Sequence, residues 1–259
     1  MDLRFDLSLG QPYHSRSQRA RVLTQGWVER EAYCLSCGRA TLAQTAQNTR
    51  AMDFRCERCR EPYELKSSKR PFGRYVLDGE YSTFLRAIQS HDNPNLLLLN
   101  YDAETMAVVD FQAVPRYALS RLAILPRKPL GPCARRAGWQ GCNIDLTGLV
   151  PSALVPIVVE GGVRPQPHVL QDWLQLDFLR TSAKGARDWL PDIISCLRRV
   201  PAETFRLDRV YEFGPELKLL HPHNLNIQPK IRQQLQILVR LGLLERLTPG
   251  LYRKTRRFG

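Results

Sequence analysis

Between Asn95 and Tyr101 the chain is almost continuously apolar, and a second run of the same kind covers Ala107 to Val114. Runs of this length predict neighbouring strands of a central sheet, buried on both faces. Leu154 to Val159 predicts another strand; Pro156 lacks a backbone donor, which places that strand at a sheet edge. Helical spacing marks Ser17 to Glu31 and the stretch near Val169 to Leu179, and shorter strands are expected near Asp53 and Glu64. Small polar residues from Thr181 to Gly185 then break the pattern, as a linker does. Beyond them, Arg187 to Arg199, Leu207 to Leu220 and Pro229 to Leu241 predict three helices, followed by a hairpin turning at Thr248-Pro249-Gly250. Three helices and a β wing are the order of a winged helix-turn-helix. In the third helix Ile231, Leu235 and Leu238 share one face, while Arg232, Gln233, Gln236 and Arg240 lie away from it. The expected organisation is an α/β domain over 1–182 and a winged-helix domain over 183–259, the latter able to fold and bind DNA by itself.

Composition changes this picture only at the level of partners. An apolar fraction of 43% and a charged fraction of 24% are those of a folded protein. No apolar run reaches the roughly 18 residues that span a bilayer. With no signal peptide either, the chain is expected to be cytoplasmic, without a membrane partner. The formal net charge of +13 favours a polyanion, although a solvated basic surface gives the same number. The charge is concentrated C-terminally: residues 186–259 hold 14 Lys and Arg against 7 Asp and Glu. That density, with Arg253, Lys254, Arg256 and Arg257 in the wing and tail, favours DNA binding over a winged helix used for protein contacts.

Four cysteines, Cys34, Cys37, Cys56 and Cys59, form C-x2-C-x18-C-x2-C. Paired knuckles of this spacing match a four-thiolate zinc site, and Gly38 suits the tight turn after the first. Two disulfides are the rival reading and iron the rival metal; Cys133, Cys142 and Cys196 show no paired spacing. With all four positions filled by protein, the Zn2+ over residues 34–59 would be structural.

The second knuckle sits between Asp53 and Glu64-Leu65-Lys66. Phosphodiester hydrolysis uses a divalent cation, and hard Mg2+ prefers carboxylate oxygens. Glu64 and Lys66 lie two apart on one strand and so share a face. A hairpin closed by the Cys56–Cys59 knuckle would bring Asp53 beside Glu64, with Lys66 placed to orient the attacking water. The motif alone is weak, because Glu216-Leu217-Lys218 repeats it in a predicted helix, where i and i+2 diverge.

Further blocks are Tyr33-Cys34-x2-Cys37-Gly38, Asn93-Pro94-Asn95, Arg127-Lys128-Pro129-Leu130, Ala134-Arg135-Arg136-Ala137-Gly138-Trp139, Gly141-Cys142-Asn143-Ile144-Asp145-Leu146 and Ile231-Arg232-Gln233-Gln234-Leu235-Gln236-Ile237-Leu238. In this order, and with Asp53-Phe54-x-Cys56-x2-Cys59 and Glu64-Leu65-Lys66-Ser67, the chain resembles the DpnI-like methyl-directed restriction endonucleases along nearly its whole length. The resemblance implies a PD-(D/E)xK nuclease domain with an inserted zinc site and a C-terminal winged helix. It implies cleavage of duplex DNA at 5′-GATC-3′ carrying N6-methyladenine, to blunt ends, with Mg2+. Asp53, Glu64 and Lys66 fall on the family's catalytic positions, the first two holding Mg2+, and the four cysteines fall on its zinc ligands. Met52 stands where proline is frequent, a position that ligates nothing.

A methyl group on adenine N6 offers only ~1 kcal/mol of apolar burial, so strict discrimination needs a close apolar wall. Trp139, preceded by Arg135 and Arg136, is the candidate wall; a core tryptophan, as read for Trp27, Trp173 and Trp189, is the alternative. Base reading by the winged helix is assigned to Arg232, Gln233 and Gln236. The five histidines show no ligand spacing. The expected function is methyl-directed cleavage by a monomer. The competing one is a DNA-binding regulator with a zinc ribbon and winged helix but no chemistry.

Overall fold

The computed structural model describes residues 1–46, 52–181 and 189–258. The linker read at Thr181–Gly185 and the boundary at 182/183 fall, from residue 182 onward, outside the described residues. In chain order the elements begin α1 (Arg16–Glu31), β1 (Ala43–Gln44), β2 (Phe54–Arg55), β3 (Pro62–Ser68), β4 (Tyr75–Glu80), α2 (Tyr81–Gln89), β5 (Asn95–Asp102) and β6 (Ala107–Val114). They continue with β7 (Ile124–Pro126), β8 (Gly141–Asp145), β9 (Val155–Val159), β10 (Gly162–Val163), α3 (Gln166–Leu174), α4 (Asp177–Thr181) and α5 (Trp189–Arg198). The last are β11 (Thr204–Arg206), α6 (Leu207–Tyr211), α7 (Gly214–Leu220), α8 (Ile227–Arg240), β12 (Leu244–Thr248) and β13 (Leu251–Lys254).

Two compact units result, neither of them one stretch of sequence. The first takes Met1–Val76, Asp92–Arg116 and Ala153–Asp177; the second takes Leu77–His91, Tyr117–Ser152 and Phe178–Gly259. The first is built on a seven-stranded mixed sheet in the order β1-β2-β3-β5-β6-β9-β10. Strand β5 lies at its centre, parallel to β3 and antiparallel to β6. Leu96 to Leu99 are each 1% exposed or less, which is why that run is continuous rather than alternating. Helix α1 buries Leu23, Thr24, Trp27 and Val28, and the Trp27 ring meets Phe111 of β6 edge-on at 5.1 Å. Strand β9 is one strand in from the edge, because the two-residue β10 pairs with Val158 and Val159. At Pro156 the β6–β9 register shifts, which accommodates the missing donor without an outer position.

The second unit holds the three-stranded sheet β11-β13-β12 and, from Leu77 of β4 onward, the three-stranded sheet β4-β8-β7. The C-terminal pattern is the expected one with refinements. The helix read over Leu207–Leu220 is two, α6 and α7, separated where Gly214-Pro215 restarts the chain, since proline fits a first turn and not a helix interior. Similarly Val169–Leu179 resolves into α3 and α4. Ile231, Leu235 and Leu238 are fully buried, with Arg232, Gln233, Gln236 and Arg240 exposed. The wing gains a third strand, β11, that the sequence did not signal.

Helix α5 is buried on every described side from Trp189 to Leu197. Part of that burial comes from residues 120–123 and 146–148: Ser120 Oγ donates to Asp192 Oδ1 at 2.6 Å, and Arg198 Nε donates to the Thr147 carbonyl at 3.1 Å. His221 closes the same cluster, stacked on Trp189 at 3.9 Å and 2.9 Å from Asp192 Oδ2, a core role. The expectation that a fragment from residue 186 is self-sufficient therefore meets a physical objection: of the partners of the buried Asp192 carboxylate it keeps His221 but loses Ser120 and Arg121.

Candidate active site and zinc centre

The four-cysteine cluster is made by two like turns. In the first, Cys34 donates to the Arg39 carbonyl and accepts from Gly38; in the second, Cys56 donates to Glu61 and accepts from Arg60. Both turns need a left-handed residue after the second cysteine. Gly38 (φ 72°) supplies it freely, whereas Arg60 (φ 64°) does so against the clash of its own Cβ. The four sulfurs lie within 4.8 Å of one another, with Cys34 to Cys59 at 3.4 Å and Cys37 to Cys56 at 3.6 Å. Tetrahedral thiolates about 2.3 Å from zinc stand roughly 3.8 Å apart, so the cluster fits that ion. None of the seven cysteines is in a disulfide, and separations of 3.4 and 3.6 Å between the sulfurs are far beyond an S–S bond. Burial pushes the Cys34 thiol well above its ordinary value. At Cys56 burial acts the same way but is outweighed by the backbone amides of Cys59 and Arg58, which hold it at about 7. Tyr63 supports the centre from behind: its hydroxyl is 3.3 Å from Cys34 Sγ and accepts from the Leu35 amide at 3.1 Å.

The knuckle also closes the hairpin that carries the carboxylates. β2 and β3 are antiparallel, with Phe54 opposite Tyr63, and the Asp53 amide extends the ladder by donating to the Tyr63 carbonyl. Asp53 thus sits at the end of β2, and its Oδ2 accepts from the Leu65 amide at 2.8 Å. Leu65 lies between Glu64 and Lys66, so the carboxylate of Asp53 is brought to the pair. Lys66 Nζ is 2.6 Å from Glu64 Oε1, both side chains being largely shielded. Parallel pairing to Leu96 and Leu98 holds Glu64 and Lys66 on the rigid centre of the sheet. Two carboxylates and an ammonium at a hairpin end could offer oxygen ligands to a divalent cation and a positive charge to a neighbouring anion.

Two residues beside this group had no signal in the sequence. Gln25 of α1 donates from Nε2 to Asp53 Oδ1 at 3.2 Å, and Gln44 of β1 donates to Gln25 Oε1 at 3.1 Å. The Asn93-Pro94-Asn95 block is scaffold: Asn93 and Asn95 tie Arg116, Glu61 and Pro62 to the start of β5. The second E-x-K copy is scaffold too, with Glu216 paired to Arg199.

Arg135, Arg136 and Trp139 share an exposed loop between β7 and β8, closed by Arg127 donating to Gly141 and Leu130 to Trp139. Trp139 is partly exposed, unlike Trp27, Trp173 and Trp189, so the core alternative fails for it alone. The Arg136 guanidinium lies 5.0 Å from its ring centroid. A Cβ on Gly141 would come within 2.9 Å of the outer edge of the indole, so glycine there leaves the ring its room. On α8, Arg232 Nη1 donates to Tyr211 Oη at 2.9 Å while Gln233 and Gln236 face outward.

Comparison with known families matches residues 1–182 to the DpnI model, described as the Dam-replacing family. The chain belongs to the Dam-replacing family. A second match, to the Dam-replacing HTH domain, covers residues 185–254. Membership of the Dam-replacing family implies a methyl-dependent restriction endonuclease with a DNA-binding helix-turn-helix segment. Among the described residues no helix is long and apolar enough to cross a membrane.

Proposed function

We propose that this chain is a Mg2+-dependent endonuclease that cuts duplex DNA to blunt ends at 5′-GATC-3′ sites carrying N6-methyladenine. In this reading residues 1–182 form a PD-(D/E)xK nuclease domain and 183–259 a winged-helix domain, working as a monomer. The observation that carries it is the reach of the Asp53 carboxylate to the amide between Glu64 and Lys66, in a chain of this family. Asp53 and Glu64 would hold the Mg2+, which when bound polarises the scissile phosphate and lowers the pKa of water. Lys66 orients that water from the Glu64 side and offsets charge building on the phosphate. The zinc-bound knuckle keeps β2 and β3 in register and takes no part in the chemistry.

Base reading is assigned to two surfaces. The Trp139 indole, with one face near Arg136, offers the adenine methyl an apolar wall, and Arg135 and Arg136 meet phosphate. On α8, Arg232, Gln233 and Gln236 present donors and acceptors suited to major-groove edges. Asp53→Ala or Lys66→Ala is expected to abolish cleavage while leaving affinity for methylated duplex within a few fold, because both groups act on the transition state. Cleavage and band-shift assays check this together; near wild-type cutting by Asp53→Ala removes the assignment.

A further inference from the structure

The Asp53 carboxylate is gripped from both sides. Its Oδ2 takes the Leu65 amide at 2.8 Å and its Oδ1 takes Gln25 Nε2 at 3.2 Å. Each carboxylate oxygen has two lone pairs, so one on each remains for an incoming ligand. With both oxygens bound, rotation of the carboxylate plane breaks at least one of the two bonds. An amide side chain can face either way, and only its nitrogen side can donate. An ionised carboxylate only accepts, so the nitrogen faces Asp53, and Gln44, whose Nε2 donates to Gln25 Oε1 at 3.1 Å, supports that orientation from the other side. Strand β1 sets Gln44 opposite Phe54, the residue after Asp53. Helix α1 is a fixed platform for Gln25: Trp27 is fully buried with its Nε1 on the Asp2 carbonyl at 2.7 Å, and Thr24 Oγ1 is 3.3 Å from Ser67 Oγ, next to Lys66.

We infer that Gln25, oriented by Gln44, is a positioning residue that presents Asp53 to the divalent cation without itself being a ligand; this rests on the cleavage reading above. Hydrogen-bond partners that orient metal ligands contribute roughly 10–100-fold to metal affinity. Gln25 keeps the carboxylate aimed; a leucine in its place frees the carboxylate to rotate, and a glutamate replaces a donor with a like charge.

The test is Mn2+ binding to the full-length, zinc-loaded chain by calorimetry, beside the Mg2+ concentration that gives half-maximal cleavage. Gln25→Leu is expected to raise the Mn2+ Kd about tenfold, with the Mg2+ requirement rising in step and zinc content and melting temperature held. Gln44→Leu should shift both the same way by a smaller factor, since it removes only the orienting bond. Gln25→Glu should weaken Mn2+ binding; tighter binding would show that this side chain ligates the ion, and overturns the inference. Unchanged Mn2+ affinity in Gln25→Leu, in a protein whose affinity falls with Asp53→Ala, overturns it alone. Affinity indifferent to Asp53→Ala overturns the cleavage reading as well.

Discussion

Arg60 is one of four non-glycine residues with a left-handed backbone among those described, and it sits in the second knuckle. It occupies in the second knuckle the place that Gly38 occupies in the first, with the same left-handed backbone and a side chain that opposes it. A non-glycine residue there costs about 1 kcal/mol. Arg60→Gly is therefore expected to raise the melting temperature of the zinc-loaded protein by roughly 2–4 °C, and calorimetry decides it; an unchanged or lowered value contradicts the reading. The residues of the site were unequally visible. Asp53, Glu64, Lys66 and the cysteines could be found because each belongs to a local spacing that chemistry requires. Gln25 and Gln44 belong to none: their significance lies in contacts across 28 and 19 positions, which only the packing of α1 and β1 creates. Trp139 lay between these cases, since its two glycines hinted at a special loop while only its exposure separated it from the core tryptophans.

At the scale of elements, the β2–β3 hairpin is short: two residues of β2 pair with β3. So small a ladder does not hold itself, and in the proposed reading a metal-bound knuckle three residues beyond Asp53 supplies the closure. Cys56→Ser is expected to lower the melting temperature, release zinc and abolish activity together, while metal analysis of the parent shows about one zinc per chain. A folded, active preparation without tightly bound metal contradicts this. Strands β5 and β6 were legible as long unbroken apolar runs, and helices α1, α5 and α8 because each is long enough for its spacing to show. β1, β10 and β11, of two or three residues, are too short to show a period and exist because a neighbour offers an edge. The breaks between α6 and α7 and between α3 and α4 were hidden by apolar spacing that continues across them.

For the whole molecule, the family matches divide the chain near residue 183, whereas the compact units cut across that division, taking Tyr117–Ser152 together with the C-terminal helices. Sequence shows segments; burial shows which segments share a core. The tail charges and the groups proposed to read bases also separate within the C-terminal segment. Arg232→Ala with Gln233→Ala should weaken binding to methylated GATC more than to unrelated duplex. Arg256→Ala with Arg257→Ala should weaken all duplexes alike and reduce the slope of log K against log salt by about 1–2. Titrations at several salt concentrations separate the two, and identical profiles for both pairs contradict the assignment. The central claim is methyl-directed cleavage, and one gel tests it: two plasmids identical in sequence, one adenine-methylated at GATC, incubated with the full chain and Mg2+. The account predicts blunt-ended fragments mapping to GATC from the methylated plasmid and an intact unmethylated one. Equal cutting of both, or of neither, contradicts it.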